Sequence, residues 1–383
     1  FQAEDGGGGG EFVSLFIMIH KITSLKYCKK FNMIPSNLFN SKDSASSKFT
    51  RFMRKRQNPL MRNLLTQTRL DLSDFIYPLF VIEGENEARE IKSMPDLHQF
   101  SIDKLLYECE DLVRLGINNI LLFGVLEDCK KDAIGSHALS SNHIVANATK
   151  AIKSRFDMLV TADLCFCEYT SHGHCGVLKD GNIDNDKSVK NLGDQAVILA
   201  QGGADIIAPS ASLDGMVLAI RIALDNANFQ NTPIMSYSTK FASAYYGPFR
   251  DIARSTPNAN LQDMDAQNIP KNRLTYQQNY ANINEALLES LEDEAQGADI
   301  LMVKPGLVYL DVISKLKDRT LLPVASYNVS GEFAMVKFGA KMGLFDYRAM
   351  MLENLIALKR AGSDIIISYH AKDLAMLLKE NNG

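Results

Sequence analysis

From about residue 75 onward, short runs of branched apolar residues alternate with longer stretches in which apolar side chains recur every three or four positions. The first pattern belongs to strands buried on both faces and the second to helices with one apolar stripe. Together they predict βα units around a parallel sheet. Eight runs qualify, at residues 76–82, 119–125, 158–165, 205–210, 233–238, 299–304, 323–329 and 364–369. The helical stretches between them end on glycine, at Gly116, at Gly202 with Gly203, and at Gly297, where left-handed backbone is easily reached. Gly-Ala-Asp or Gly-Ser-Asp, starting at Gly203, Gly297 and Gly362, leads into three of the strands. Eight strands with crossover helices in roughly 310 residues predict an α/β fold, a TIM (β/α)8 barrel, with an open doubly wound sheet as the competing arrangement.

One connection is long. From Lys240 to the helix starting near Ile283 the chain is polar and carries Pro248, Pro257 and Pro270. Connections of that length are usually functional lids, and on a barrel this one lies over the mouth. The chain before residue 75 follows neither pattern. The apolar run at residues 12–19 is too short for the roughly 20 residues that span a bilayer, so no membrane association is expected. Five glycines, Gly6 to Gly10, and a polar stretch after them make residues 1–47 a disordered extension or a linker left by cloning. Lys21, Lys26, Lys29 and Lys30 leave organellar targeting as the alternative to a cytoplasmic location. Residues 48–74 then form an amino-terminal arm and 75–383 the catalytic barrel. The basic stretch Arg51, Arg54, Lys55, Arg56 and Arg62 suits contact with a neighbouring subunit better than a polyanion.

Composition narrows the function. With 46% hydrophobic and 22% charged residues and a net charge of −4, the chain has an ordinary globular make-up and no basic surplus that would favour nucleic acid. Its six cysteines are too few for a disulfide framework, and Cys165, Cys167 and Cys175 crowd together, which points to a metal site in a reducing compartment. Three thiolates suit zinc, and three protein ligands with an open fourth position mark a catalytic site; buried inert thiols are the alternative. Two residues apart on an extended strand, Cys165 and Cys167 point the same way, and Cys175 returns to them after a loop. His172 and His174 are candidates either for ligation or, in the case of His174, for supporting the ligands.

Lys304 ends an apolar strand and is followed by Pro305 and Gly306, which puts its amine at the rim where barrel enzymes do chemistry. A solvated strand-end lysine would read the same way, but Lys240 follows another strand in the same relative place. Two ammonium groups in one half-desolvated cavity lower each other's pKa, and a neutral amine is a nucleophile able to form a Schiff base.

The runs from Cys165 to Gly176 (CFCEYTSHGHCG), Ser236 to Arg250 (SYSTKFASAYYGPFR), Met302 to Gly306 (MVKPG) and Val329 to Met335 (VSGEFAM) resemble, in their order, the signatures of the porphobilinogen synthase family, also called 5-aminolevulinate or delta-aminolevulinic acid dehydratase. The likeness runs from about Arg54 to the C-terminus. It implies a (β/α)8 lyase that condenses two 5-aminolevulinate molecules to porphobilinogen with loss of two waters, on the way to heme and other tetrapyrroles. It also implies a homo-oligomer, commonly an octamer. By the resemblance Lys304 and Lys240 are the catalytic lysines, holding the first and second substrate. Ser330 and Tyr369 match positions at the first substrate's carboxylate, Arg250, Arg273 and Gln277 those around the second, and Asp163 and Ser210 polar positions lining the pocket. Cys165, Cys167 and Cys175 match zinc-type members, where magnesium-type members carry aspartates. Glu289 matches the glutamate of an allosteric magnesium site, or else is an ordinary charge on an exposed helix face. Ala211 and Met216 depart from the pattern, standing where an aspartate and an arginine are usual, so some local charge network is missing. A class I aldolase-like barrel is the enzymatic rival, but it has no use for three cysteines; a binding protein without turnover is the non-enzymatic one.

Overall fold

The computed structural model describes residues 50–257 and 269–382, so the expectations for residues 1–47 lie outside the described residues. The chain divides into two units, through Gln67 and from Thr68. In the first, a 3-10 turn (Phe52–Arg56) precedes a short helix, Pro59–Leu64. Proline at its first position fits a place where no backbone donor is needed, and the Asn58 side chain caps it by accepting from the Met61 amide at 2.8 Å. Phe52, Leu60 and Leu64 are exposed.

The second unit holds the strands β1 (Phe75–Ile82), β2 (Ala88–Glu90), β3 (His98–Ser101), β4 (Asn119–Val125), β5 (Leu159–Leu164), β6 (Leu178–Lys179), β7 (Asn182–Ile183), β8 (Ile206–Pro209), β9 (Met235–Lys240), β10 (Ile300–Lys304), β11 (Val324–Asn328) and β12 (Ile365–Ser368). Eight of them form a parallel sheet in the order β8-β5-β4-β1-β12-β11-β10-β9. Its two ends meet through a parallel bridge between Ile207 and Ile234, with the Ile207 amide 3.0 Å from the Pro233 carbonyl, so the sheet is a closed barrel and not an open doubly wound one. All eight strands overlap the apolar runs, β9 being displaced by two residues to Met235–Lys240, because a barrel strand covered by helices outside and side chains inside has no face that must be polar. β1, β9 and β11 are buried along their whole length.

The Gly-Ala-Asp and Gly-Ser-Asp signals do more than end helices. Asp205, Asp299 and Asp364 each clasp the residue entering the neighbouring strand. Their amides donate to the carbonyls of Val160, Ile234 and Val324 at 2.8, 2.9 and 2.8 Å. Their carboxylates accept the amides of the same three residues at 2.7, 2.8 and 2.8 Å. Gly203, Gly297 and Gly362 have φ of +90°, +103° and +120°, which only glycine adopts without strain and which turns the chain into each clasp.

The long connection after β9 is partly folded: a 3-10 turn (Ala244–Tyr246) runs into a helix (Gly247–Ile252), and the returning segment pairs Gln278 with Phe241 before the helix Ile283–Ala295. Residues 258–268 of the expected lid lie outside the described residues. Among the described residues no helix is long and apolar enough to cross a membrane.

Candidate active site

Both lysines end barrel strands. β9 runs two residues beyond Ser238, so Lys240 closes that strand instead of following it, and in the register of β9 on β10 Lys240 lies directly beside Lys304. Each is about 5% exposed. The Lys304 amine stands over the rings of Tyr327 (4.2 Å), Tyr237 (4.8 Å), Phe249 (5.2 Å) and Tyr246 (5.5 Å). Burial, and then the charge of Lys240, pull the Lys304 amine down to about 7, so near neutrality a large fraction is an uncharged nucleophile. The Lys240 amine donates to the Ser210 carbonyl, just beyond the end of β8.

Around the lysines lies a cavity lined by Cys167, Glu168, Ser210, Arg250, Arg273 and the aromatic rings of Phe123, Tyr246 and Phe249. Asp163, at the end of β5, accepts from the Ser210 hydroxyl at 3.2 Å and leaves its second oxygen unpartnered; burial, then the nearby Glu168, push its carboxyl up to about 7. Arg273 spends Nη2 on the carbonyls of Gly173 (2.8 Å) and Ser255 (2.7 Å), while its Nε finds no partner. The Arg250 Nε and both amide atoms of Gln277 are likewise unpartnered. Unpaired buried polar groups are costly, and several around one cavity mark groups kept for a ligand. Tyr369 and Ser330 sit on the Lys304 side. The Tyr369 hydroxyl is 3.1 Å from that of Tyr327, and the Ser330 hydroxyl accepts from the Phe249 amide at 3.1 Å.

Cys165, Cys167 and Cys175 converge with their sulfurs all within 4.8 Å of one another, free and buried. They converge by a different route from the expected extended strand: β5 ends at Leu164, and the chain turns so that the Tyr169 and Thr170 amides both reach the Phe166 carbonyl. The turn sets the Cys165 and Cys167 sulfurs 3.3 Å apart. Burial drives the Cys165 thiol well up. Cys175, stabilised by hydrogen bonds from Cys165 and Cys167, falls well below the usual thiol range. A soft three-sulfur set in a dry pocket fits a thiophilic cation such as zinc. The histidines turn away from direct ligation. His172 and His174 contact the Ala133 carbonyl (3.1 Å) and the Pro270 carbonyl (2.8 Å), and His174 also reaches the Tyr276 hydroxyl (3.1 Å), so His174 braces the returning segment against the cysteine turn.

The sequence profile of the delta-aminolevulinic acid dehydratase family matches residues 49–377. The chain belongs to the delta-aminolevulinic acid dehydratase family. A delta-aminolevulinic acid dehydratase of Helicobacter pylori is 56% identical over 335 residues, covering 87% of this chain and 100% of that one, and one of Bacillus subtilis is 48% identical over 336 residues, covering 88% and 100%. Among solved structures, the Toxoplasma gondii delta-aminolevulinic acid dehydratase in complex with the reaction product porphobilinogen superposes with a TM-score of 0.82 at 38% identity, over 87% of this chain and 92% of that one. The chain is therefore a lyase of tetrapyrrole biosynthesis with the barrel that the dehydratase family shares.

Of the residues singled out in the sequence, the dehydratase barrel gathers the two lysines, the three cysteines, Asp163, Ser210, Arg250, Arg273, Gln277, Ser330 and Tyr369 on one end. Glu289 stands apart on the helix Ile283–Ala295, where the Gln278 amide donates to its carboxylate. Ala211 and Met216 are both buried, so the missing charges are replaced by core apolar contacts. Sequence reasoning passed over Glu168, which is buried, lines the cavity and takes a contact from Cys167 Sγ at 3.2 Å. The signal was present as a charged residue inside a run of buried ones.

Proposed function

We propose that this site joins two molecules of 5-aminolevulinate into porphobilinogen, with Lys304 and Lys240 each forming a Schiff base to one substrate ketone. The neutral Lys304 amine attacks the carbonyl carbon, water leaves and an imine results; the same exchange at Lys240 expels the second water. The carbon–carbon and carbon–nitrogen bonds made between the substrates replace the two bonds to lysine and return both amines. Arg250, Arg273 and Gln277 offer unpartnered donors to the second substrate's carboxylate, where a guanidinium fork binds well, and Ser330 with Tyr369 offers hydroxyls to the first. Asp163, hydrogen-bonded to Ser210, is held ready to exchange protons beside the lysines. The single observation that carries the reading is the side-by-side register of two buried lysines at the strand ends.

Cys165, Cys167 and Cys175 would hold a zinc ion. When bound, zinc supplies Lewis-acid polarisation of an oxygen or nitrogen in the cavity. Magnesium at Glu289 is the finer proposal of the same kind, and there the ion would compete with the Gln278 amide. Assembly into a homo-octamer, with the unit before Thr68 as the contacting arm, is supported by its exposed apolar side chains, and a cytoplasmic location by the bacterial relatives. The deciding experiment is colorimetric detection of porphobilinogen after supplying 5-aminolevulinate, with and without a chelator. Product that disappears on chelation and returns with zinc supports the whole reading. Product restored by magnesium alone overturns the zinc assignment, and no product from folded protein overturns the function.

A further inference from the structure

β9 is one residue longer than β10 between the pairs Ser236–Leu301 and Thr239–Val303: Tyr237 and Ser238 together stand opposite Met302. Such a bulge advances every later pairing by one position and reverses which side chains face inward. Continued without it, the register would put Thr239 beside Lys304 and turn the Lys240 amine to the outside of the barrel. The pairing of the two lysines is thus a product of the bulge, and the bulge needs something to hold it.

Its flanks are tied to the helix Ile283–Ala295. The Ser236 hydroxyl donates to Asp293 at 2.6 Å, and the Thr239 hydroxyl lies 2.7 Å from that of Ser290. The bulged residue itself is reached by Gln278. Its Nε2 donates to the Ser238 carbonyl at 3.0 Å and also to the Glu289 carboxylate. Its backbone amide donates to the Lys240 carbonyl at 3.0 Å, and its carbonyl accepts from the Ala242 amide at 2.9 Å. The side chain therefore grips the bulge while the main chain pairs with the residues on either side of Phe241. Gln278 and Ser238 are 4% and 3% exposed, so water cannot substitute for the bond between them if it is lost. Glu289 fixes the amide's orientation from outside, which gives that carboxylate a use in this chain that needs no ion.

We propose that Gln278 is a positioning residue for Lys240: its side-chain amide holds the β9 bulge that places the Lys240 amine beside Lys304. This rests on the Schiff-base reading above. The test uses the full chain, with 5-aminolevulinate and borohydride to fix any imine and peptide mass spectrometry to count adducts at each lysine. In the unaltered protein both lysines carry adducts. In Gln278→Leu, which keeps the volume but removes both donors, the Lys240 adduct falls about tenfold relative to that at Lys304, the scale of one lost buried hydrogen bond. If Gln278→Leu does not fold, Gln278→Met, unbranched and of similar length, is read in the same way. An unchanged ratio of the two adducts, or an equal loss of both, overturns the proposal. No adduct at either lysine in the unaltered protein overturns the Schiff-base reading, and the positioning role falls with it.

Discussion

At the scale of the residue, the chemistry depends on how much of Lys304 is uncharged. With burial holding its amine near 7, the neutral fraction falls as pH drops below that value. kcat/KM for 5-aminolevulinate is expected to decline with unit slope on the acid side of an apparent pKa near 7, measured by initial rates across pH 5 to 9; a flat profile there would contradict a nucleophilic Lys304. The same shift acts on stability. An unfolded lysine binds its proton up to about 10.5, so between that value and 7 the unfolded chain holds more protons, and the fold loses stability from this group as pH falls through that window. Lys304→Met removes both the nucleophile and the buried charge. Turnover is expected to vanish while the circular dichroism and melting curve stay those of a folded barrel. Lysines at strand ends were legible because a charged residue closing an apolar run is conspicuous. Gln278 was not, because a glutamine in a polar connection carries no mark until the strand beside it is seen to bulge.

At the scale of the element, the eight strands were legible because a barrel strand is apolar on both faces, and the clasping aspartates were visible as a repeated tripeptide although their purpose was not. Asp299→Ala takes the acceptor from the Ile234 amide and is expected to lower stability by about 1 kcal/mol in denaturant titration, with Asp299→Asn losing less. The turn after β5 is the element that sequence reasoning drew differently. Spacing alone suggested two cysteines on one face of a strand, but the strand ends at Leu164 and a local turn does the gathering. Propensity cannot distinguish the two, since both put the same sulfurs together. Cys167→Ala is expected to leave the chain folded but to abolish tight metal binding, checked by the metal content of the purified protein after dialysis. Undiminished metal content would place the ion elsewhere.

At the scale of the whole molecule, the barrel and the unit before Thr68 make different demands. The barrel buries its own core, whereas Phe52, Leu60 and Leu64 remain uncovered. A chain beginning at Thr68 is expected to fold, with its melting temperature little changed, but to sediment as a smaller assembly than the full chain. Equal sedimentation would remove the arm's role in assembly. The eight alternating strand and helix patterns along the chain predicted a barrel correctly, yet they could not say how tightly the first and last strands of the sheet are joined.

That joint has a mechanical meaning. The ladder between β8 and β9 is a single bridge, Ile207 to Ile234, and near the mouth the lysine–carbonyl contact from Lys240 to Ser210 reaches across the same gap. The cysteine turn rides on β5, one strand away on one side, and Lys304 rides on β10, one strand away on the other. Across that line the cysteine turn is also tied to the segment returning to β9, by His174 to the Pro270 carbonyl and the Tyr276 hydroxyl and by Arg273 to the Gly173 carbonyl, so side chains hold the sulfurs near the amines where strand pairing is thinnest.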